Sequence, residues 1–268
     1  AMAIDWETAY DNRAAVPGAF ELAERLAAEA AAFRDGLGER ASTHPYGAHE
    51  REVCDLFLPE GQARGLAVYV HGGYWQRGSR SEWSHLAAGP LTRGWAVAMP
   101  GYRLCPDVRV GDIVREVATA VTAAARRVGG PVRLAGHSAG GHLVTRLACA
   151  AVLGEEVLAR LGGVLSVSGL HDLRPVTNTP LNAALGLTLV EAREESPALL
   201  EPAGPVPVTC WVGGDELAEL RRQSRILAEI WGGLGVPATF VEAPGRHHFD
   251  VVAPMAEAES EITGAWVG

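Results

Sequence analysis

Short apolar runs alternate with amphipathic stretches along most of the chain. The runs fall at 51–58 (REVCDLFL), 65–70 (GLAVYV), 95–99 (WAVAM), 132–135 (VRLA), 163–167 (GVLSV), 206–212 (VPVTCWV) and 238–242 (ATFVE). Only the first alternates in part between apolar and polar positions. The others have no polar side, the pattern of parallel strands covered by helices on both faces. Helical spacing marks 19–35, 111–128, 139–153 and 216–234, the first of them introduced by Pro17-Gly18 and closed by Gly36. Strand and helix in regular alternation predict one α/β domain over 1–268, built on a mostly parallel, doubly wound sheet. Residues 169–205 break the rhythm, with prolines at 175, 180, 197, 202 and 205. A stretch of this length without a long element predicts a lid or substrate-covering insertion.

Composition narrows the partners. The chain has 268 residues, 48% of them hydrophobic, with 23 Lys plus Arg against 32 Asp plus Glu, a formal net charge of -9. No basic stripe is available for a phosphate backbone, so nucleic acid is excluded as a partner. No run of about 18 apolar residues is free of charge, so no membrane span is expected. The four cysteines (Cys54, Cys105, Cys149, Cys210) are far apart and suit neither zinc nor a C-x-x-C pair. They read as buried thiols of a reducing compartment, and the acidic amino-terminal segment lacks a signal-peptide progression. A cytoplasmic protein with a small-molecule substrate, and no metal or cofactor, is the expectation. Oligomeric state is left open, a homodimer included.

The strongest chemical signal is Gly136-His137-Ser138-Ala139-Gly140, a G-x-S-x-G after a strand and at the start of a helix. That turn exposes a serine hydroxyl as a nucleophile. A serine that merely capped a helix would need no downstream partners. Here the chain order Ser, acid, His is available. Asp215 follows the strand at 206–212 across a Gly-Gly turn, and His247 and His248 follow the last strand. Asp215 could also be a helix N-cap with Glu216 opening the helix, and Asp172 and Asp250 are competing acids. Adjacent histidines point differently, so only one of His247 and His248 can face Ser138.

Acyl transfer through serine also needs N–H donors for the oxyanion. One is the backbone N–H of Ala139. The other belongs to the loop after an earlier strand, where lipases and esterases carry HGGG. The stretch His71-Gly72-Gly73-Tyr74 is placed there, which nominates the N–H groups of Gly72, Gly73 and Tyr74.

With these residues assembled, the sequence resembles the bacterial kynurenine formamidases (arylformamidases) of α/β-hydrolase fold. The resemblance runs from YDNRAAVPG at 10–18 through HGGYWQ, YRLCPDV at 102–108, GHSAGGHL at 136–143, SGLHDLRP at 168–175 and GGDELAELRRQSRILAE at 213–229 to PGRHHF at 244–249. It implies that His248, which precedes Phe249, is the base in a Ser138–His248–Asp215 triad. It further implies cleavage of N-formyl-L-kynurenine or a related N-formyl arylamine to arylamine and formate, a step of tryptophan catabolism. Gly101 departs from the pattern, which has asparagine before Tyr102. Tyr74, Trp75, Tyr102, His137 and Phe249 are candidate substrate contacts, the aromatic ones equally readable as core packing. Arg77, Arg103, Arg109 and Arg174 could hold a carboxylate. The alternatives are a carboxylesterase acting on short acyl esters and a catalytically silent binding module on the same fold.

Overall fold

The computed structural model describes residues 4–268; Ala1–Ala3, where the amino-terminal segment begins, lie outside the described residues. Eight strands form one sheet: β1 (Ala41–Pro45), β2 (Val53–Phe57), β3 (Leu66–Val70), β4 (Ala96–Pro100), β5 (Val132–His137), β6 (Leu161–Val167), β7 (Val208–Gly213) and β8 (Ala238–Ala243). Their order is β1-β2-β4-β3-β5-β6-β7-β8. The pairs β1–β2 and β2–β4 are antiparallel and all others parallel. The helices among the described residues are α1 (Asn12–Ala15), α2 (Ala19–Leu37), α3 (Ala88–Thr92), α4 (Val110–Arg127), α5 (Ala139–Leu147), α6 (Glu155–Leu158), α7 (Asn182–Leu185), α8 (Leu189–Glu194), α9 (Ala218–Gly233) and α10 (Glu261–Val267).

The apolar runs are explained by two cores, one on each face of the sheet. In β3, Leu66, Val68 and Val70 enter one core while Ala67 and Tyr69 enter the other. Every residue of that strand is buried, so no polar position is tolerated. The helix α4 covers the first face with Val110, Ile113, Val114, Val117 and Val121, a spacing of three and four that keeps them on one stripe. Tyr69 and Trp266 of α10 meet in the second core with ring centroids 6.1 Å apart. All four cysteines are free and buried. No helix among the described residues is long and apolar enough to cross a membrane.

Some boundaries differ from expectation. Strand β1, Ala-Ser-Thr-His-Pro, carries no apolar run because it is an edge strand, paired only with β2 and partly exposed. Helix α5 stops at Leu147 instead of 153, where the chain turns towards an isolated bridge between Cys149 and Pro202. The 169–205 segment holds α7, α8 and two 3-10 turns. It is tied to the body of the fold by Glu195, whose carboxylate meets Arg146 at 2.9 Å and whose carbonyl accepts from His142 Nε2 at 2.7 Å.

The sheet brings chemistry to one edge. The order in which strands are added reverses between β3 and β5, which are parallel neighbours although β4 lies between them in sequence. Loops leaving their carboxyl ends diverge, and ligands of such sheets bind in that crevice.

Four buried histidines make the fold sensitive to acid. Burial pushes His71 and His171 down to about 4, and His137 and His142 down to about 3, from 6.5. Above pH 6.5 both folded and unfolded chains hold these rings neutral, so they add nothing to the pH dependence. Below it the unfolded chain takes up protons that the folded chain refuses until pH 3 to 4. Each histidine then removes up to about 1.4 kcal/mol of stability per pH unit. Four of them remove up to about 5.6 kcal/mol per unit, against a total stability of about 5–15 kcal/mol for an ordinary protein. Denaturant unfolding is therefore expected to show a steep loss of stability between pH 6.5 and 4; a flat profile there would contradict neutral burial of these rings.

Candidate active site

Ser138 lies between β5 and α5 with φ 57° and ψ -118°. A non-glycine residue at positive φ is strained, at a cost of roughly 1–3 kcal/mol, and such residues cluster at functional sites. The elbow is possible because its neighbours are small. A Cβ on Gly140 would run into the carbonyl oxygen of Val70 at the end of β3, so the helix can start this close to the sheet only with glycine there. Ser138 N–H donates to the Val167 carbonyl at 2.8 Å, which fixes the turn against β6.

The loop after β3 lies directly beside it. A Cβ on Gly72 would sit 2.8 Å from the His137 carbonyl oxygen and 2.9 Å from Ser138 Cβ. Gly73, Tyr74 and Trp75 follow with φ of 118°, 51° and 59°, three consecutive residues in left-handed territory. Two of the three are not glycine, so the surroundings must hold them. Trp75 is fully buried and its Nε1–H donates to His142 Nδ1 of α5 at 3.1 Å. Tyr102 is also fully buried, stacks on His71 at 4.3 Å and donates its hydroxyl proton to the His71 carbonyl at 2.8 Å. The candidate substrate roles of Trp75 and Tyr102 are thereby corrected: neither lines the cavity, and both brace the glycine loop from behind.

A cavity of about 650 Å³ opens at this edge, lined by Gly72, Gly73, Tyr74, His137, Ser138, His248 and Phe249. Tyr74, His137 and Phe249 are thus among the residues that line the cavity. Thr179, Pro180 and Leu181 are the part of the 169–205 segment that reaches it. The other wall was not foreseen: α1, α2 and the segment before them contribute Trp6, Tyr10, Asn12, Leu22 and Leu26. The first half of α2 therefore faces the cavity, while Phe33 and Leu37 of its second half pack against the core.

His248 is buried, and its Nδ1 lies 2.6 Å from Glu216 Oε2. This corrects the expected acid. Asp215 is exposed, while Glu216 is buried with its side chain inaccessible to solvent. The cause is the turn after β7, where Gly214 N–H donates to the Ala243 carbonyl and Asp215 N–H to the Arg246 carbonyl. These bonds tie the backbone to the end of β8 and the loop after it and turn the residue after Asp215 inward. Helix α9 begins only at Ala218, so Glu216 belongs to the loop and opens no helix.

Glu216 is fully served. Its Oε1 accepts from the Ser168 hydroxyl at 2.5 Å and from Gly213 N–H at 2.8 Å. Burial pushes its carboxyl up, but the His248 ring and these hydrogen bonds outweigh burial and hold it below the ordinary carboxylate range. A carboxylate on Nδ1 fixes the tautomer and leaves His248 Nε2 free for another partner. Ser168, at φ 52° and fully buried, is a residue that sequence reasoning missed; it sits after β6 in the SGLHD stretch.

The remaining candidates separate cleanly. His247 Nδ1 accepts from Phe249 and Asp250 N–H at 3.1 and 3.2 Å, so it caps a turn that Asp250 closes from the other side. Asp172 is held by Arg174 through two bonds of 2.9 and 2.8 Å and does not reach His248. Arg103 pairs with Glu116 and Arg109 with Glu191, which leaves Arg77, of the four arginines considered, on the cavity. His137 Nε2 donates to the His248 carbonyl at 2.8 Å and its ring lies 4.6 Å from that of His248, so it fixes the histidine loop. No cluster of metal ligands exists among the described residues.

A protein-family model described as alpha/beta hydrolase fold matches residues 67–251, more than half of the chain. The chain belongs to the alpha/beta-hydrolase family. The match spans the glycine loop, the Ser138 elbow and the His248 loop of this alpha/beta hydrolase. Its sequence is 28% identical to a kynurenine formamidase of Salmo salar over 240 residues, covering 85% of this chain and 81% of that one. It is 29% identical to a kynurenine formamidase of Drosophila melanogaster over 239 residues, covering 80% and 76%. The crystal structure of a Silicibacter sp. protein described as a candidate thioesterase superposes with a TM-score of 0.95 at 44% identity, covering 99% of this chain and 100% of that one. The hydrolase is an enzyme acting on small molecules, as that membership and those relatives establish.

Proposed function

We propose that this enzyme is a serine hydrolase that cleaves the formamide of N-formyl-L-kynurenine, or of a closely related N-formyl arylamine, to the free arylamine and formate. The observation that carries the reading is the meeting of Ser138, on its strained elbow, with the His248–Glu216 pair at one cavity edged by the glycine loop.

His248 Nε2 takes the proton of Ser138 as its oxygen attacks the formyl carbon, and Glu216 stabilises the imidazolium through Nδ1. The developing oxyanion is met by the N–H of Ala139 at the start of α5 and by N–H groups of the Gly72-Gly73-Tyr74 loop. Donors of this kind contribute about 3–4 kcal/mol each to the barrier reduction. Proton return from His248 Nε2 releases the aryl amine, a better leaving group than an alkyl amine because its lone pair is delocalised into the ring. Water, activated by His248, then frees formate from Ser138. A formyl carbon carries only hydrogen beside its carbonyl, which suits a nucleophile enclosed as Ser138 is, 3% exposed. The formamide reading is supported by the curated relatives and by the HGGYW stretch.

Thioester hydrolysis is the second reading, favoured by the 44% identical Silicibacter sp. protein. Incubation with N-formyl-L-kynurenine is expected to release formate and L-kynurenine in equal amounts. Absence of both products, with turnover of an acyl thioester, would replace the formamide by the thioester.

A further inference from the structure

The geometry points to a zwitterion subsite in the cavity, where Asn12, Arg77 and Arg13 bind the α-amino and α-carboxylate groups of an amino-acid substrate. This inference rests on the proposed formamide reading and deepens it.

Asn12 is the observation that no other role absorbs. It is 4% exposed, lines the cavity and leaves its Oδ1 without a hydrogen-bond partner. Its orientation is fixed by chemistry. The Tyr74 hydroxyl donates to the Tyr10 carbonyl at 2.6 Å, so towards Asn12 it can only accept, and it does so from Nδ2 at 2.9 Å. The amide oxygen is therefore the orphan, a buried acceptor on a cavity-lining residue that lacks a donor. An ammonium group supplies one, and an unmade bond at such a group is costly.

Arg13 and Arg77 supply the other half. Both line the cavity, and neither makes an ion pair among the described residues. Arg77 is depressed from its ordinary value first by burial and then by the charge of Arg13, and the Arg13 guanidinium lies over the Phe20 ring, 5.0 Å from its centroid. Cavity-lining cations without an ion pair suit a carboxylate. The carboxylates Glu7, Asp11, Glu24 and Glu82 share the same lining. Four negative against two positive groups disfavour a multiply charged anion such as the phosphates of an acyl-CoA, while a zwitterion satisfies both signs.

Steady-state kinetics of wild type and Arg77→Met on N-formyl-L-kynurenine and on formanilide test the subsite, because formanilide has the same scissile bond without either charge. The ratio of kcat/KM for the two substrates is expected to fall about tenfold or more in the variant, through KM, as the loss of one charge-assisted hydrogen bond requires. An unchanged ratio would overturn the subsite. Should wild type cleave neither formamide, the formamide reading itself falls, and calorimetric titration with L-kynurenine decides the subsite separately. Binding weakened about tenfold by Arg77→Met upholds it. Equal or absent binding overturns it, as does a variant defect confined to acyl-CoA hydrolysis.

Discussion

Glu216→Gln is expected to lower kcat by about 10³–10⁴-fold, whereas Asp215→Asn leaves it within about twofold. The contrast follows from which carboxylate faces His248. A glutamine in place of Glu216 would keep the shape and could keep the bond from Ser168, but its amide presents to Nδ1 either a donor or a neutral acceptor. A donor there reverses the tautomer, so that Nε2 carries a proton and cannot accept one from Ser138. A neutral acceptor leaves the imidazolium without its counter-charge. Asp215 is exposed and its side chain touches neither histidine, so its neutralisation changes surface charge alone. Kinetics of both variants on one substrate, with circular dichroism to confirm folding, check the pair. Equal losses, or a larger loss at Asp215, would return the acid to the residue that sequence reasoning chose.

Ser138→Ala is expected to remove turnover by about 10⁵–10⁶-fold without unfolding the protein. The hydroxyl is the atom that attacks, and no other hydroxyl or thiol lines the cavity except Thr179 and the tyrosines Tyr10 and Tyr74, which are engaged in hydrogen bonds. Because alanine tolerates a positive φ no better than serine, the backbone strain at the elbow is unchanged by the substitution. Thermal stability should therefore stay close to that of wild type. Retained turnover of more than about one part in a hundred would mean that the chemistry does not pass through this serine.

The parts of the site legible in the sequence are those in which local chain geometry and chemistry coincide. G-x-S-x-G after an apolar strand marked the elbow because only small residues fit where α5 starts against the end of β3. HGGY was readable for a similar reason, since the loop runs along the Ser138 turn. The choice between Asp215 and Glu216 was not readable. Both carboxylates follow the same strand, and what separates them is a pair of hydrogen bonds to the end of β8 and the loop after it, some thirty residues on. Helical spacing in the sequence begins at 216, whereas α9 starts at Ala218 and leaves Glu216 in the loop.

The aromatics show another limit. Trp75 and Tyr102 flank the glycine loop in sequence, and a large ring beside such a loop has the same signature whether it faces the substrate or the core. Only the bonds from Trp75 to His142 and from Tyr102 to the His71 carbonyl decide it. The fold itself was legible wherever apolar runs were buried on both faces, as in β3 and β5, and illegible at the sheet edge, where β1 is polar. The wall formed by α1 and α2 was hidden for a topological reason. Residues 6–27 meet Ser138 across more than a hundred positions of chain, and nothing in their own pattern says whether an apolar stripe covers a core or a cavity.

The most direct test of the account is the kcat/KM of the wild-type enzyme for N-formyl-L-kynurenine beside a short-chain p-nitrophenyl ester and an acyl-CoA thioester, each repeated with Ser138→Ala. A preference for the formamide that vanishes with the serine is the expected result. Turnover of the ester or thioester with negligible formamide cleavage would contradict it, leaving the Ser138–His248–Glu216 machinery attached to a different substrate.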